Sequence, residues 1–278
     1  EVLVSSINKF SYIYLLKLSE IYEFNIRASY SKIEKVNCIN ELEHPSMRAC
    51  LSFMNVKDKI DISYIGDLPA KSGLGASSSF TVGLLHALNS FYGKKFDNYY
   101  YGKQAIYVEQ EIIKEHVGSQ DQISTAVGGF NHIVFSNNDI QVIPLNIDKK
   151  ILKNLNSNLV LFYYGNNRYS SDILVEQIEK TRAGSNDKVL LEMKSNVEIS
   201  VNLLKNNKLD DFGVLMNYNW NLKKKLSTKI SNDEIDKLYE IAIKNGALGG
   251  KLLGAGSGGF LLFYIPNKKD ADKIQKLI

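Results

Sequence analysis

The chain has 278 residues, 44% of them hydrophobic, enough to bury one large core or two medium ones. Lys and Arg number 34 against 30 Asp and Glu, a formal charge of +4 spread along the chain, so a nucleic-acid partner is not expected. Cys38 and Cys50 make neither a disulfide framework nor a metal-type pair, and no apolar run reaches a membrane span or a secretion signal. A reducing cytoplasm is the expected setting, with no membrane partner.

Val2 to Ile7 reads as a strand directly after Glu1. Ile7 to Leu18 and Glu23 to Ser29 then read as the two strands of a hairpin, and Asn40 to Asn55 as a helix interrupted near Pro45. Lys59 to Ile65 alternates and is rich in β-branched residues, which marks a strand. After a glycine-rich turn, Phe80, Leu84, Leu88 and Phe91 recur at helical spacing. Asn98 to Glu115 continues as a helix with Ala105, Val108 and Ile112 on one face, and a short helical turn from Gly118-Ser119 closes at Gly128-Gly129. Phe130 to Phe135 and Ile140 to Leu145 are strands joined by a polar turn. The polar stretch Asn146 to Asn158 is the expected domain boundary, dividing the chain into 1–150 and 151–278. Beyond it come a strand at Leu159 to Tyr164, a helix from Ser171, and long helices around Val189 to Leu204 and Asp233 to Asn245. A hairpin-like pair and a helical pattern at Lys268 to Leu277 follow.

The strand, turn and helix around Gly66-Asp67-Leu68-Pro69-Ala70-Lys71-Ser72-Gly73-Leu74-Gly75-Ala76-Ser77-Ser78-Ser79 carry the first chemical signal. Gly73 and Gly75 let the backbone take positive φ and approach a ligand, while the serines fall at the free N–H groups and positive end of the following helix. Phosphate suits such a turn. It is not a Walker A loop, because Lys71 precedes the glycines, and it is not a dinucleotide fingerprint, because Ser78 stands where Gly or Ala is needed. A tight turn with a serine N-cap fits the same residues.

Pro-x-x-x-Gly-Leu-Gly-x-Ser-Ser resembles the phosphate loop of the GHMP kinases, the superfamily of galactokinase, homoserine kinase and mevalonate kinase, with Ala76 and Lys71 as departures. Two more segments are similar to that family. Gln120-Asp121-Gln122-Ile123-Ser124-Thr125-Ala126-Val127-Gly128-Gly129 resembles its second motif, and Gly249 to Phe263 its C-terminal glycine motif, with Ser257 replacing a frequent glycine. The resemblance implies an α+β, two-domain GHMP kinase fold, with a ribosomal protein S5 domain 2-like N-terminal domain, a ferredoxin-like C-terminal domain and the active site between them. It implies ATP and Mg²⁺ as cofactors. Lys71, Ser72, Gly73, Leu74, Gly75, Ala76, Ser77, Ser78 and Ser79 would contact the nucleotide, Ser77 and Glu109 would hold Mg²⁺, and Asp121 would be the catalytic base. Read without the resemblance, Asp121 also suits a first helical turn through the helix dipole, and Glu109 a solvated helix face.

The resemblance also implies that Gly254, Gly256, Ser257 and Gly258 lie in a loop that packs near the phosphate loop and helps shape the acceptor site, although the same loop also fits a flexible hairpin. Arg168 has the planar fork suited to a phosphate, or is a surface charge. Together with Gln120-Asp121-Gln122 and the following Gly-Gly-Phe-Asn, its segment resembles the D-glycero-D-manno-heptose 7-phosphate kinase branch, where Arg168 would grip the sugar's existing phosphate. The implied partner is a small-molecule sugar phosphate phosphorylated at its anomeric C1 hydroxyl. Another acceptor of galactose, mevalonate or homoserine type is the alternative within the family, and a non-catalytic binding protein of this fold is the alternative outside catalysis. A homodimer is an open option. The family's N-terminal Gly-Gly-Gly-Thr-Asp-type loop has no counterpart here, so either the natural N-terminus lies upstream of Glu1, which is the expectation, or the protein lacks that substrate element; a last strand is likewise expected after Ile278. His44, His86, His116 and His132 are scattered and read as structural or exposed.

Overall fold

The computed structural model describes residues 1–69, 72–136, 139–165 and 171–278. They fall into two compact units, one drawn from 5–70 and 75–129, the other from 1–4, 71–74 and 130–278. The chain starts with β1 (Val2–Ser5), which pairs into a sheet of the second unit.

In the first unit β2 (Ser11–Lys17), β3 (Ile26–Ser29), β4 (Ile33–Val36) and, after α1 (Pro45–Phe53), β5 (Ile60–Gly66) form one mixed sheet in the order β2-β5-β3-β4. Tyr12 of β2 lies opposite Ile65 of antiparallel β5, and Ala28 of β3 opposite Ile62 of the same strand, here parallel. The expected hairpin of Ile7 to Leu18 with Glu23 to Ser29 does not form, because β5 inserts between its two strands. No two-residue turn joins them, and Ile60 and Ile62 of β5 are fully buried by this placement.

Pro45 opens a helix instead of interrupting one. At the first helical position its missing N–H has no partner to lose, and His44 Nδ1 caps the helix by accepting from the Met47 N–H at 3.3 Å. After β5 come α2 (Ala76–Phe91), α3 (Asn98–Tyr107) and α4 (Gln120–Val127). Leu84, Leu85 and Leu88 of α2 join Tyr101 and Ala105 of α3 in the core beneath the sheet. The expected helix to Glu115 instead passes into a π-helical turn at Val108–Ile112. Ala105 and Val108 are buried as expected, but the extra residue of the turn rotates Ile112 off that face, leaving it 38% exposed.

In the second unit β6 (Phe130–Phe135) and β7 (Ile140–Pro144) complete the sheet β1-β6-β7. The stretch read as a polar boundary is largely α5 (Lys149–Asn158), capped by Asp148 and anchored by buried Leu155. With β6 and β7 in this unit, the chain divides at Gly129–Phe130, upstream of the expected boundary near 150. Next are β8 (Leu159–Tyr163), α6 (Ser171–Arg182), α7 (Asp187–Lys205), α8 (Leu209–Lys225), α9 (Asp233–Lys244), β9 (Gly249–Leu252), β10 (Phe260–Tyr264) and α10 (Lys268–Leu277). β10 runs antiparallel between β8 and β9, and Trp220, Leu252, Phe263 and Ile274 fill one core.

The sequence reading did not include α8. Three asparagines and Gly213 weaken its local helical signal, but Leu209, Gly213, Met216 and Trp220 are all buried along one face. Gly213 is needed there: an added Cβ would stand 2.4 Å from Tyr264 Cδ1. Among the described residues no helix is long and apolar enough to cross a membrane.

Candidate active site

In the first unit the chemistry gathers around the start of α2. Gly75 is its N-cap with φ of +72°, a left-handed conformation that glycine adopts without a Cβ penalty. Ala76 opens the helix, and the Ser79 N–H reaches back to the Gly75 carbonyl at 2.9 Å. Ser77 is exposed, while Ser78 is buried and its Oγ donates to Glu109 Oε2 at 3.1 Å. The structure thus joins Ser78, one residue beyond the expected Ser77, to this carboxylate.

Glu109 has no exposed surface, which excludes the solvated-face reading. It sits in the π-helical turn, where the Ile113 N–H bonds the Val108 carbonyl at 2.9 Å. Such turns are frequent at functional sites. Gln122, also fully buried, donates its side-chain N–H to the same Glu109 Oε2. Glu109 Oε1 and Gln122 Oε1 are both buried without a hydrogen-bond partner among the described residues. Burial pushes the Glu109 carboxyl above the ordinary range, and the negative Asp121 adds to this, while Thr81, Gln122 and Ser78 oppose it by hydrogen bonding.

Asp121 lies in the first turn of α4, as its position in the motif suggested. A Cβ placed on Gly75 would lie 3.5 Å from Asp121 Oδ2, so this carboxylate stands against the helix-capping glycine. Close packing of α3 on α4 brings the group together. Gly102 allows it, since a Cβ there would come within 2.9 Å of Ile123 Cδ1. Gln122 was absent from the sequence reading as a site residue. Its signal was a polar side chain beside Ile123 on the inward face of a short helix.

In the second unit the glycine loop after β9 packs backbone to backbone on Ser72 and Gly73. Cβ atoms added at Gly254 and Gly259 would lie 2.8 Å from Gly73 Cα and 2.4 Å from the Ser72 carbonyl oxygen. Gly73, with φ of +79°, has the Leu253 carbonyl equally near, at 2.9 Å from such an atom. Ser257 faces another way. Its Oγ donates to the Lys229 carbonyl and its N–H to the Ile230 carbonyl, at 2.5 and 3.0 Å. A Cβ on Gly256 would meet Ile230 Cα at 2.8 Å, and Gly258 lies between these contacts and Gly259. Lys223 of α8 donates to the Gly254 carbonyl at 2.7 Å. The loop is therefore a built support for Ser72 and Gly73, and the flexible-hairpin reading does not hold. Ser72 Oγ is buried without a partner among the described residues.

Lys71 and Arg168 lie outside the described residues. His44 caps α1, His86 packs on Tyr101 with ring centroids 4.6 Å apart, His132 meets Glu1 at 3.0 Å, and His116 is exposed. Among the described residues no group of three or more His, Cys, Asp or Glu is arranged to hold a metal. Mg²⁺ asks less of a protein, one or two oxygen side chains with phosphate oxygens completing the shell. The unpartnered buried Oε1 of Glu109 fits that demand.

Comparison with known proteins gives the same picture. Residues 36–129 match the family model of the GHMP kinases N terminal domain, and residues 200–276 that of the GHMP kinases C terminal. A D-glycero-alpha-D-manno-heptose 7-phosphate kinase of Campylobacter jejuni is 35% identical over 208 residues, which make up 73% of this chain and 60% of that relative's length. A mevalonate kinase of Methanocaldococcus jannaschii is 27% identical over 84% of this chain and 70% of its own. Among solved structures, a D-glycero-D-manno-heptose 1-phosphate kinase from Bacteroides thetaiotaomicron shares 20% identity at a TM-score of 0.73, covering 99% of this chain and 82% of that one. Streptococcus pneumoniae phosphomevalonate kinase, in complex with phosphomevalonate and AMPPNP, has a TM-score of 0.77 at 13% identity, covering 99% and 88%. These two likenesses establish the fold. With both halves of the family recognised in its sequence and that fold along its length, the chain belongs to the GHMP kinases.

Proposed function

We propose that the chain is an ATP-dependent kinase that transfers the γ-phosphate to the anomeric C1 hydroxyl of D-glycero-D-manno-heptose 7-phosphate. The observation that carries the kinase reading is the Asp121 carboxylate packed against Gly75, at the N-terminal end of α2. Free N–H groups at such an end attract phosphate, and a carboxylate beside them is placed to take a proton from an attacking hydroxyl. In the transfer, the acceptor oxygen bonds the γ-phosphorus as the bond to the β–γ bridging oxygen breaks, ADP leaves, and the hydroxyl proton passes to Asp121. Gly73 to Ser79 would stabilise the triphosphate, and Glu109 with Ser77 would hold Mg²⁺, which when bound neutralises phosphate charge. Arg168 is assigned to the sugar's existing phosphate, and Lys71 to the nucleotide.

The heptose acceptor rests on the 35% identical Campylobacter relative. The Methanocaldococcus mevalonate kinase, matched over more of this chain, favours a second reading with a different alcohol acceptor. ADP release with ATP and Mg²⁺ is the test, across heptose 7-phosphate, hexose phosphates, free hexoses, mevalonate and homoserine. Turnover on the heptose phosphate alone is expected. Turnover on another acceptor would replace the substrate and keep the kinase. For the base, Asp121→Asn is expected to lower kcat about 10²–10⁴-fold with ATP binding retained, and a loss under about tenfold would remove Asp121 from that role.

A further inference from the structure

Side chains from two other elements meet on a single oxygen of Glu109. Ser78 from the first turn of α2 donates to Oε2, and Gln122 from α4 donates to the same atom. Glu109 and Gln122 are both fully buried, so neither exchanges these bonds with solvent. Oε1 of the carboxylate makes no hydrogen bond of normal geometry among the described residues, the nearby Thr81 hydroxyl being directed to the Ser77 carbonyl at 3.3 Å, and the carbonyl oxygen of the Gln122 amide has no donor either. A carboxylate with two donors on one oxygen cannot spin about its last torsion without breaking both. The amide is equally constrained, since turning it over would set its own oxygen against the carboxylate. One acceptor oxygen of Glu109 is thus spent on Ser78 and Gln122, and the other receives no hydrogen bond of normal geometry from the described residues.

Gln122 directly follows Asp121, whose carboxylate stands against Gly75. The hydrogen bond from Gln122 therefore ties the helix that carries the proposed base to the proposed metal ligand. We infer that Gln122 is a positioning residue: its side-chain amide holds Glu109 so that Oε1 is presented to a hard divalent cation. This rests on reading Glu109 as the metal-side carboxylate. Outer groups of this kind set the orientation of the ligand they touch, and their loss typically costs about 10–100-fold in metal affinity or activity.

The test is Mn²⁺ binding, measured by electron paramagnetic resonance in the presence of a non-hydrolysable ATP analogue. It compares wild type with Gln122→Met, which keeps the volume and removes the amide, and with Glu109→Gln as reference. Gln122→Met is expected to weaken Mn²⁺ about 10–100-fold, with nucleotide affinity in the absence of metal and melting temperature near wild type. In turnover assays its kcat is expected to recover as Mg²⁺ is raised, with the acceptor KM unmoved. A purely structural residue would not show that metal-dependent recovery. If Gln122→Met binds Mn²⁺ within about twofold of wild type while Glu109→Gln binds it weakly, the role of Gln122 is overturned and Glu109 stands. If Glu109→Gln binds Mn²⁺ as wild type does, the metal reading of Glu109 fails, and this inference with it. Should Gln122→Met not fold, Gln122→Asn, whose shorter arm cannot reach as far, is expected to show the same weakening, and wild-type affinity there would overturn the proposal.

Discussion

A histidine that caps a helix through its ring nitrogen can do so only while neutral, because protonation turns that nitrogen from acceptor to donor. His44 is such a residue. Its Nδ1 takes the Met47 N–H, and its ring packs between Tyr30 and Phe80, with centroids 4.9 and 4.8 Å away. Burial holds its pKa below the ordinary histidine value, against the opposing pull of Glu34. A depressed histidine pKa means that the unfolded chain binds the proton more readily. Stability from this group is present above the unfolded pKa of about 6.5 and is lost as pH falls through the lower folded value. Urea unfolding between pH 7.5 and 5 is therefore expected to show His44→Asn, which keeps a capping acceptor, with a flatter stability profile than wild type. Parallel profiles would show that His44 does not carry the dependence. Glu109 shows the same effect with the opposite charge: burial and the nearby Asp121 raise its pKa, while hydrogen bonds from Thr81, Gln122 and Ser78 hold it down.

Among the elements, the two glycine loops differ from ordinary turns in what surrounds them. Gly259 has φ of +103° and would place a Cβ 2.4 Å from the Ser72 carbonyl, so a side chain must displace backbone as well as strain its own torsion. Gly128 has φ of +68° but open space around it. With ψ of 178° it lies in a region open essentially to glycine alone, so Gly128→Ala is expected to cost only that backbone strain, about 1–3 kcal/mol. Gly259→Ala adds displacement of the Ser72–Gly73 backbone, and is expected to lose clearly more stability in urea unfolding and to weaken ATP binding. Equal costs at the two positions would mean that the loop after β9 does not press on Ser72 as described. This tight contact was legible only in part: the run Gly254-Ala255-Gly256-Ser257-Gly258-Gly259 announced a loop nearly free of side chains, and the family resemblance implied that it packs near the phosphate loop, but not that Gly259 would meet the Ser72 carbonyl.

For the molecule as a whole, a ligand that binds only the folded state adds stability by mass action. ATP at about 100 times its dissociation constant contributes ~2.7 kcal/mol, which for a chain of this size corresponds to a rise in melting temperature of roughly 5 °C. The rise is expected with ATP and Mg²⁺, to shrink with EDTA, and to shrink in Glu109→Gln even at high Mg²⁺. No ATP-dependent shift under any of these conditions would count against the nucleotide site.

What the amino-acid order determined by itself is local. Gly73 and Gly75 need positive φ, the β-branched alternation of Lys59 to Ile65 makes a strand, and Asp121 lies in the first turn of a short helix that a glycine pair closes. Each of these follows from residues a few positions apart, where torsional preference and periodicity act directly. Only the tertiary structure placed β5 between β2 and β3, formed α8 despite its asparagines, and buried Glu109 beneath Ser78 and Gln122. The last two partners lie 31 and 13 residues away in sequence. Strand order, and which oxygen of a carboxylate keeps no donor, depend on burial shared among distant residues, and no local pattern encodes that sharing.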